Sequence, residues 1–149
     1  MPLLIETLKQ VELFQGLTPV QLERLGALCQ SQTWARMTVI FEQGNPADTL
    51  YIVASGQVDI TVQTPEGGMM TAVYLGAGQI IGEMGLVDAG TRSASAIAAE
   101  DNTLIYSIRA QDLERLCEED TALGYRLMRN IAQDLSFKLR HLDTSIAEQ

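Results

Sequence analysis

Closely spaced turn residues divide the middle of this chain into short segments, and this division constrains the fold more than any other feature. The turn signals between residues 33 and 109 are Gly44-Asn45-Pro46, Ser55-Gly56, Pro65-Glu66-Gly67-Gly68, Gly76-Ala77-Gly78 and Glu100-Asp101-Asn102. The strand-like segments around them lie at 38–41, 50–53, 58–62, 71–75, 93–98 and 103–108. Many short strands with glycine-rich corners are typical of a small barrel or roll. We therefore predict a mainly β fold.

The segment at 58–62 alternates in chemistry. Val58, Ile60 and Val62 are apolar, whereas Asp59 and Thr61 between them are polar. Because successive side chains of a strand point to opposite faces, we expect one face in the core and one in water.

The N-terminal segment has helical periodicity. A short helix is predicted at 3–11, and Thr18-Pro19 supplies an N-cap followed by proline at the first helical position. Leucines at 22, 25 and 28 then recur at helical spacing. This spacing predicts a second helix from 19 to about 30.

Helical periodicity returns after Arg109. A short amphipathic helix is predicted at 110–118, and Thr121 is expected to cap a longer helix that runs to about residue 146. An apolar stripe on the longer helix consists of Leu123, Leu127, Ile131, Leu135, Leu139, Leu142 and Ile146. A small roll is too short to cover the whole stripe, so we expect part of it to contact a partner chain, most simply in a homodimer. The alternative is a helix that lies along its own roll.

The chain has the size and composition of one ordinary domain. It has 149 residues, of which 46% are hydrophobic, and this is sufficient for a sizeable core. We predict a single domain over 1–149, with a helical segment at 1–31, a roll at 32–109 and C-terminal helices at 110–147.

The overall charge argues against nucleic acid as a partner. The formal net charge is −9, and the ten basic residues are scattered, whereas a nucleic-acid surface needs a basic stripe. No uncharged run is long enough to span a membrane, and no basic segment of a secretory signal begins the chain. We expect no membrane association, a cytoplasmic location, and reduced thiols at Cys29 and Cys117.

The segment at 81–96 combines small residues with one carboxylate and one guanidinium. Gly82 precedes Glu83 and Met84, in a stretch long enough for one or two helical turns, and Arg92 is followed by Ser93-Ala94. The guanidinium fork, the Ser93 hydroxyl and nearby backbone N–H groups suit a phosphate. Glu83 is an anion and would repel that phosphate, so it requires a hydroxyl donor beside it. A ribose 2′-OH next to a phosphate meets this requirement.

These residues resemble the phosphate-binding cassette of the cyclic nucleotide-binding domain family, which includes the catabolite activator and the protein kinase A regulatory subunits. The match covers Gly82 to Leu86 and Arg92 to Ser95, and similar stretches occur at 13–19 and 48–56. The resemblance implies a double-stranded β-helix, that is, a jelly-roll-like β-roll with flanking helices. It also implies that Glu83 binds the ribose 2′-OH of cAMP or cGMP and that Arg92 binds the cyclic phosphate.

The same resemblance suggests further contacts with the base and sugar. Ile60, Val73 and Leu75 are candidates on the strands, and Asp134 and Lys138 are candidates on the last helix. Asp134 is suited to accept from an exocyclic amine, and Lys138 to donate to a guanine carbonyl, so the choice between adenine and guanine stays open. The family's activator continues into a helix-turn-helix, whereas this sequence stops at Gln149, so we expect no DNA binding.

The sequence offers no evident catalytic set. His141 is the only histidine, and it lies with Cys29 and Cys117 in the helical flanks, far from the glycine-rich segment. This distribution predicts no metal site and no cofactor, and it makes a metal-free cupin-like enzyme the weaker alternative. A dimeric adaptor that does not sense a ligand is another alternative. We predict a non-catalytic sensor of cAMP or cGMP that signals to an unidentified effector protein.

Overall fold

The computed structural model describes residues 2–88 and 90–148, with the side chains of 4–88 and 90–142. Within these described residues, eight strands form two antiparallel four-stranded sheets, with the orders β1-β8-β3-β6 and β2-β7-β4-β5. The strands are β1 Gln30–Trp34, β2 Val39–Phe41, β3 Thr49–Ser55, β4 Val58–Gln63, β5 Met69–Leu75, β6 Ile80–Ile81, β7 Ser95–Ala98 and β8 Thr103–Arg109. The predicted mainly β roll with flanking helices is confirmed.

Helices flank the roll at both ends. They are α1 Pro2–Gln10, α2 Pro19–Gly26, α3 Ala110–Glu119 and α4 Thr121–Glu148, with a short 3₁₀ turn at Glu12–Phe14. The predicted N-cap is confirmed, because Gln21 N donates to Thr18 Oγ1 at 3.2 Å and Thr18 N donates to Gln21 Oε1 at 2.9 Å. These reciprocal bonds satisfy two backbone donors at the start of α2.

The predicted helix end at residue 30 and the predicted cap at Thr121 were both wrong. Helix α2 ends at Gly26, and residues from Gln30 form β1, a largely exposed strand at the edge of its sheet. A polar edge strand has no alternating apolar face that a sequence pattern would reveal. The cap of α4 is Asp120, whose carboxylate accepts from Leu123 N at 3.1 Å.

The prediction for Thr61 on strand β4 was also wrong. Thr61 is 6% exposed, although its neighbours suggested a solvent-facing position. The register of the β4–β5 pair shifts between Ile60 and Thr61, and such a bulge increases the local twist of the strands. The regular alternation therefore fails at this residue.

Two apolar clusters form the core. The larger joins the helices to the outside of the roll, and the 3₁₀ turn Glu83–Leu86 contributes Leu86 to it, together with Leu113 and Leu116 of α3. The smaller lies inside the roll and consists of Val53, Val58, Ile81, Ala96 and Ile105. The segment that follows β6 is thus packed between the roll and the C-terminal helices.

The apolar stripe of α4 is only partly covered. Leu123, Leu127 and Ile131 are buried, whereas Leu139 and Leu142 are 60% and 55% exposed. Ile146 lies outside the described side chains. The first half of the stripe packs on the chain's own fold, and the homodimer through the second half stays a prediction.

Among residues 2–88 and 90–148, none of the helices has the length and apolar character needed to cross a membrane. The two cysteines are free thiols. Burial raises the pKa of the Cys29 thiol to about 12, so this group is protonated and unreactive at neutral pH.

Candidate functional site

Backbone hydrogen bonds fix the segment that carries Arg92. Arg92 N donates to Asn45 O at 2.7 Å, and Gly44 N donates to Arg92 O at 2.8 Å. Ala47 N donates to Gly90 O at 2.9 Å, so the pairing continues on the other side of Thr91. These bonds determine the direction of the Arg92 side chain, which is only 7% exposed.

The guanidinium of Arg92 is buried with few protein partners. Nη2 donates to the Thr49 carbonyl at 2.6 Å, and Cζ lies 4.2 Å from the centroid of the Phe41 ring. Nε is buried and has no acceptor within the part of the chain that the structure describes. None of the salt bridges between described residues involves Arg92. Among the described residues, the site therefore holds a cation with an unused Nε donor and no carboxylate within salt-bridge distance.

Burial has an electrostatic consequence for this cation. Desolvation lowers the pKa of Arg92, and the nearby Tyr51 and Asp48 act in the opposite direction. An arginine stays protonated at neutral pH even so, because its pKa begins far above this range. The group is therefore a permanent positive charge in a poorly solvated place, and an anion would be attracted to it.

Gly82 makes room for the guanidinium. Its φ is +88°, and a Cβ built on it would lie 2.5 Å from Arg92 Nη1 and 3.1 Å from Thr49 O. The left-handed conformation and the close approach both require glycine at this position. The sequence-based expectation of a glycine that permits close contact thus has a specific structural cause.

We expect Gly82→Ala to displace the Arg92 side chain as well as strain the backbone. Gly67→Ala is the matched control, because Gly67 lies in the β4–β5 turn, has a φ of +87° and has no heavy atom within 4 Å of the added Cβ. Both variants should lose about 1–2 kcal/mol of stability from the left-handed backbone. Only Gly82→Ala should also lose anion or nucleotide binding, as measured by calorimetry. Equal binding by the two variants would contradict this role of Gly82.

Glu83 lies in the turn that directly follows Gly82. The turn is a single 3₁₀ turn, Glu83–Leu86, in which Gly85 and Leu86 are buried. Glu83 and Met84 are more exposed, and both line a cavity of about 830 Å³. Arg92 is not among the residues that line this cavity. The cavity is therefore lined by the carboxylate but not by the buried cation.

The cavity lies between the roll and α4, and its volume falls within the range of small-molecule sites. Leu75 and Ile80 line it on the roll side, whereas Asp134, Phe137 and Lys138 line it on the helix side. The structure thus gathers Glu83, Met84 and three of the five candidate base and sugar residues around one space. Ile60 packs on the inner cluster and Val73 is 46% exposed on β5; neither lines this cavity.

Asp134 and Lys138 bind each other. Lys138 Nζ lies 2.9 Å from Asp134 Oδ2, one helical turn away, and both side chains are largely exposed. The hydrogen bond to Asp134 raises the pKa of Lys138, and the charges of Glu83 and Glu12 raise it further. Lys138 is therefore firmly protonated at the mouth of the cavity, within the electrostatic reach of Glu83.

Sequence comparison assigns this arrangement to a family. The profile of the cyclic nucleotide-binding domain family matches residues 31–120 of this chain. The chain belongs to the cyclic nucleotide-binding domain family. The resemblance seen in the cassette is thereby confirmed, and the matched region extends from β1 to the end of α3.

Two relatives of this cyclic nucleotide-binding domain are longer proteins of different kinds. A cyclic AMP receptor protein of Thermus thermophilus is 35% identical over 142 residues, which cover 93% of this chain and 62% of that protein. Glutaminase 1 of Bradyrhizobium diazoefficiens is 36% identical over 132 residues, which cover 89% of this chain but only 21% of the enzyme. The chain thus spans about three fifths of one relative and about a fifth of the other.

A solved structure gives the same architecture. The N-terminal domain of a transcriptional regulator from Streptomyces coelicolor superposes with a TM-score of 0.82 at 28% identity, covering 89% of this chain and 94% of that one. This solved domain therefore shares its architecture with 89% of the chain. No group of three or more His, Cys, Asp or Glu side chains suited to a metal ion occurs among the described residues.

Sequence reasoning missed the residues that surround Arg92. Thr49, Phe41 and Tyr51 contact or face the guanidinium, yet they lie more than forty positions away along the chain. The strand predictions at 38–41 and 50–53 and the family-like stretch at 48–56 cover these residues. None of these local signals links them to Arg92, because the contacts arise from the pairing of distant strands.

Proposed function

We propose that this domain binds a cyclic purine nucleotide, cAMP or cGMP, and acts as a non-catalytic sensor in signal transduction. The observation that carries the proposal is the buried Arg92 cation, which has no carboxylate partner among the described residues. A cyclic phosphodiester supplies one negative charge and several acceptors in a compact group. Its attached ribose supplies the hydroxyl that Glu83 requires.

In this proposal the cassette divides the ligand between its two halves. Arg92, with Ser93 and Ala94, binds the phosphate, and Gly82, Glu83 and Met84 bind the sugar. Leu75 flanks the sugar and base, and Asp134 and Lys138 face the base from α4. Ile60 and Val73 lie outside the cavity between the roll and α4 and are proposed only as further contacts on the roll side of the ligand. The shared cavity of Glu83, Leu75, Asp134 and Lys138 supports the sugar and base end of this arrangement, whereas the phosphate end rests on the buried Arg92, which lies outside that cavity. Adenine and guanine are both compatible with Asp134 as an acceptor and Lys138 as a donor on the α4 side of the cavity.

Contacts behind the cassette connect it to the C-terminal helices. Leu86 of the cassette turn packs in one cluster with Leu113 and Leu116 of α3. On the other side, Thr49 O accepts from Arg92, and the adjacent Asp48 O accepts from Ala110 N, the first residue of α3, at 2.9 Å. In this proposal the domain has two states that differ in the position of α3 and α4. A ligand that binds Arg92 and Glu83 shifts the equilibrium between these states by the difference in its binding free energy for them. The exposed end of α4 then presents a changed face to a second copy or an effector.

The test is a titration of the purified protein with cAMP, cGMP and cyclic dinucleotides, followed by thermal unfolding and calorimetry. Ligand at a hundred times its dissociation constant should stabilise the domain by about 2.7 kcal/mol. We expect this result for cAMP, cGMP or both. A lack of stabilisation by every nucleotide at millimolar concentration would contradict the proposal and favour an adaptor that does not sense a ligand.

The remaining proposals concern context. We propose that the chain forms one domain, that it lies in the cytoplasm, and that two copies pair through the second half of α4, where Phe137, Leu139 and Leu142 are exposed. An enzymatic role is the weaker alternative, because the relative that is an enzyme matches this chain over only 21% of its own length. Turnover of a small carboxylate or sugar would favour it.

A further inference from the structure

Two aromatic rings from different sheets meet beneath Arg92. The ring centroids of Phe41 on β2 and Tyr51 on β3 are 5.6 Å apart, with an angle of 25° between the ring planes. Arg92 Cζ lies 4.2 Å from the Phe41 centroid and 5.6 Å from the Tyr51 centroid. The guanidinium therefore faces a stacked aromatic pair at the junction of the two sheets.

An irregularity in β2 directs Phe41 to this position. The register of the β2–β7 pair shifts between Val39 and Phe41, because Val39 pairs with Ile97 and Phe41 with Ala96. In a regular strand, Ile40 and Phe41 would point to opposite faces. With the bulge, both pack against the cluster inside the roll. The local distortion thus places an aromatic ring inside the roll next to Arg92.

A ring face and a carboxylate would support the cation in different ways. A carboxylate would neutralise Arg92 and occupy its N–H donors, and then neither the charge nor the donors would be available to a ligand. A ring face attracts the cation through its quadrupole and leaves the donors at the guanidinium edge unused. Here Nη2 donates to Thr49 O, whereas Nε is buried without an acceptor among the described residues.

We propose that Phe41, backed by Tyr51, is a positioning residue that holds the Arg92 guanidinium ready for the ligand phosphate. This inference rests on the proposed function of the site. The ring pair limits the rotamers of a long, flexible side chain before the ligand arrives, and a group ordered in advance loses less entropy on binding. Because the phosphate is common to both nucleotides, the effect is the same for cAMP and cGMP.

The test replaces Phe41 with mono-, di- and trifluorophenylalanine, which keep the ring shape and progressively weaken its attraction for a cation. We expect the affinity for cAMP and for cGMP to fall stepwise, to roughly 5- to 30-fold below that of the unmodified protein. Phe41→Tyr keeps the ring face, and its nucleotide affinity should lie within roughly threefold of that of the original protein. Phe41→Leu has no ring, and it should bind the nucleotides about as weakly as the trifluorophenylalanine variant. Thermal unfolding in the absence of ligand identifies any variant with a damaged fold.

Each outcome separates this role from the proposed function. Nucleotide binding that is insensitive to fluorination would overturn the positioning role and leave the proposed function intact. If the unmodified protein binds neither nucleotide, the proposed function fails. The positioning role of Phe41 is then tested in the free protein by the NMR signal of the Arg92 Nε–H group. We expect Phe41→Leu to broaden that signal and speed its exchange with solvent; an unchanged signal would overturn the positioning role.

Discussion

Replacing Arg92 with methionine is expected to remove nucleotide binding and, at the same time, to raise the stability of the free domain. Loss of one partner from a buried ion pair typically costs about 3–5 kcal/mol, or roughly two to three and a half decades of affinity. In the free protein, by contrast, the Arg92 charge destabilises the fold, because the residue is 7% exposed and has no carboxylate within salt-bridge distance among the described residues.

The pKa of Arg92 gives the sign of the stability change. Burial lowers this pKa, so the folded state holds the proton less tightly than the unfolded chain does. The charged form therefore opposes folding at every pH below the pKa of the folded state, which includes neutral pH. A methionine of similar length removes the charge and retains apolar contact with Phe41. We expect the free energy of unfolding to rise by less than the desolvation cost of the cation, because the hydrogen bond to Thr49 O and the attraction of the Phe41 ring are lost.

Calorimetry and denaturant unfolding measure the two effects separately. Arg115→Met is the matched control, because Arg115 is largely exposed and lies 3.8 Å from the partly exposed Asp112 of the same helix. An exposed pair contributes only about 0–1 kcal/mol, so this control should change stability little and leave nucleotide binding intact. Unchanged affinity in Arg92→Met would contradict the role assigned to Arg92, and a loss of stability would contradict the predicted effect of its buried charge.

Glu83→Ala is expected to weaken ribonucleotides selectively. Glu83 lines the cavity, and in the proposed complex its carboxylate accepts from the ribose 2′-OH. Hydrogen bonds to charged groups contribute about 1.5–3 kcal/mol, so affinity for cAMP or cGMP should fall roughly 10- to 150-fold. The 2′-deoxy analogues lack this hydroxyl and should bind the variant and the original protein almost equally well.

Glu12→Ala is the control for this experiment. Glu12 lines the same cavity from the N-terminal segment, and it influences Lys138 as Glu83 does. Its removal changes the electrostatics of the cavity but should leave the ratio of ribose to 2′-deoxyribose affinity unchanged. An equal loss for both sugars in Glu83→Ala would show that Glu83 acts through general charge rather than through the 2′-OH.

The parts of the site that are local in sequence could be predicted without a structure. Gly82, Glu83 and Arg92 lie within one short segment, and their chemistry indicates a phosphate beside a hydroxyl donor. The stacked rings of Phe41 and Tyr51 could not be predicted, because their meeting with Arg92 depends on a strand bulge and on the pairing of distant strands. Both are consequences of tertiary structure.

The same distinction explains the fold predictions. Six strand segments and the Thr18 cap were recognised, because apolar runs and capping residues are local signals. Strand β1 was missed since it is polar and pairs only with β8, and β6 was missed since it has two residues. The burial of Thr61 depends on its position in a paired sheet, which a single strand does not reveal.

The most direct measurement is the NMR signal of the Arg92 Nε–H group in the free protein and at saturating cAMP or cGMP, assigned with the Arg92→Lys variant. This donor is buried and has no acceptor among the described residues of the free chain. If the guanidinium binds the cyclic phosphate, the signal should shift strongly and exchange more slowly with solvent when nucleotide is added. A nucleotide that binds without moving this signal, or that does not bind at all, would contradict the assignment of Arg92 as the phosphate-binding cation.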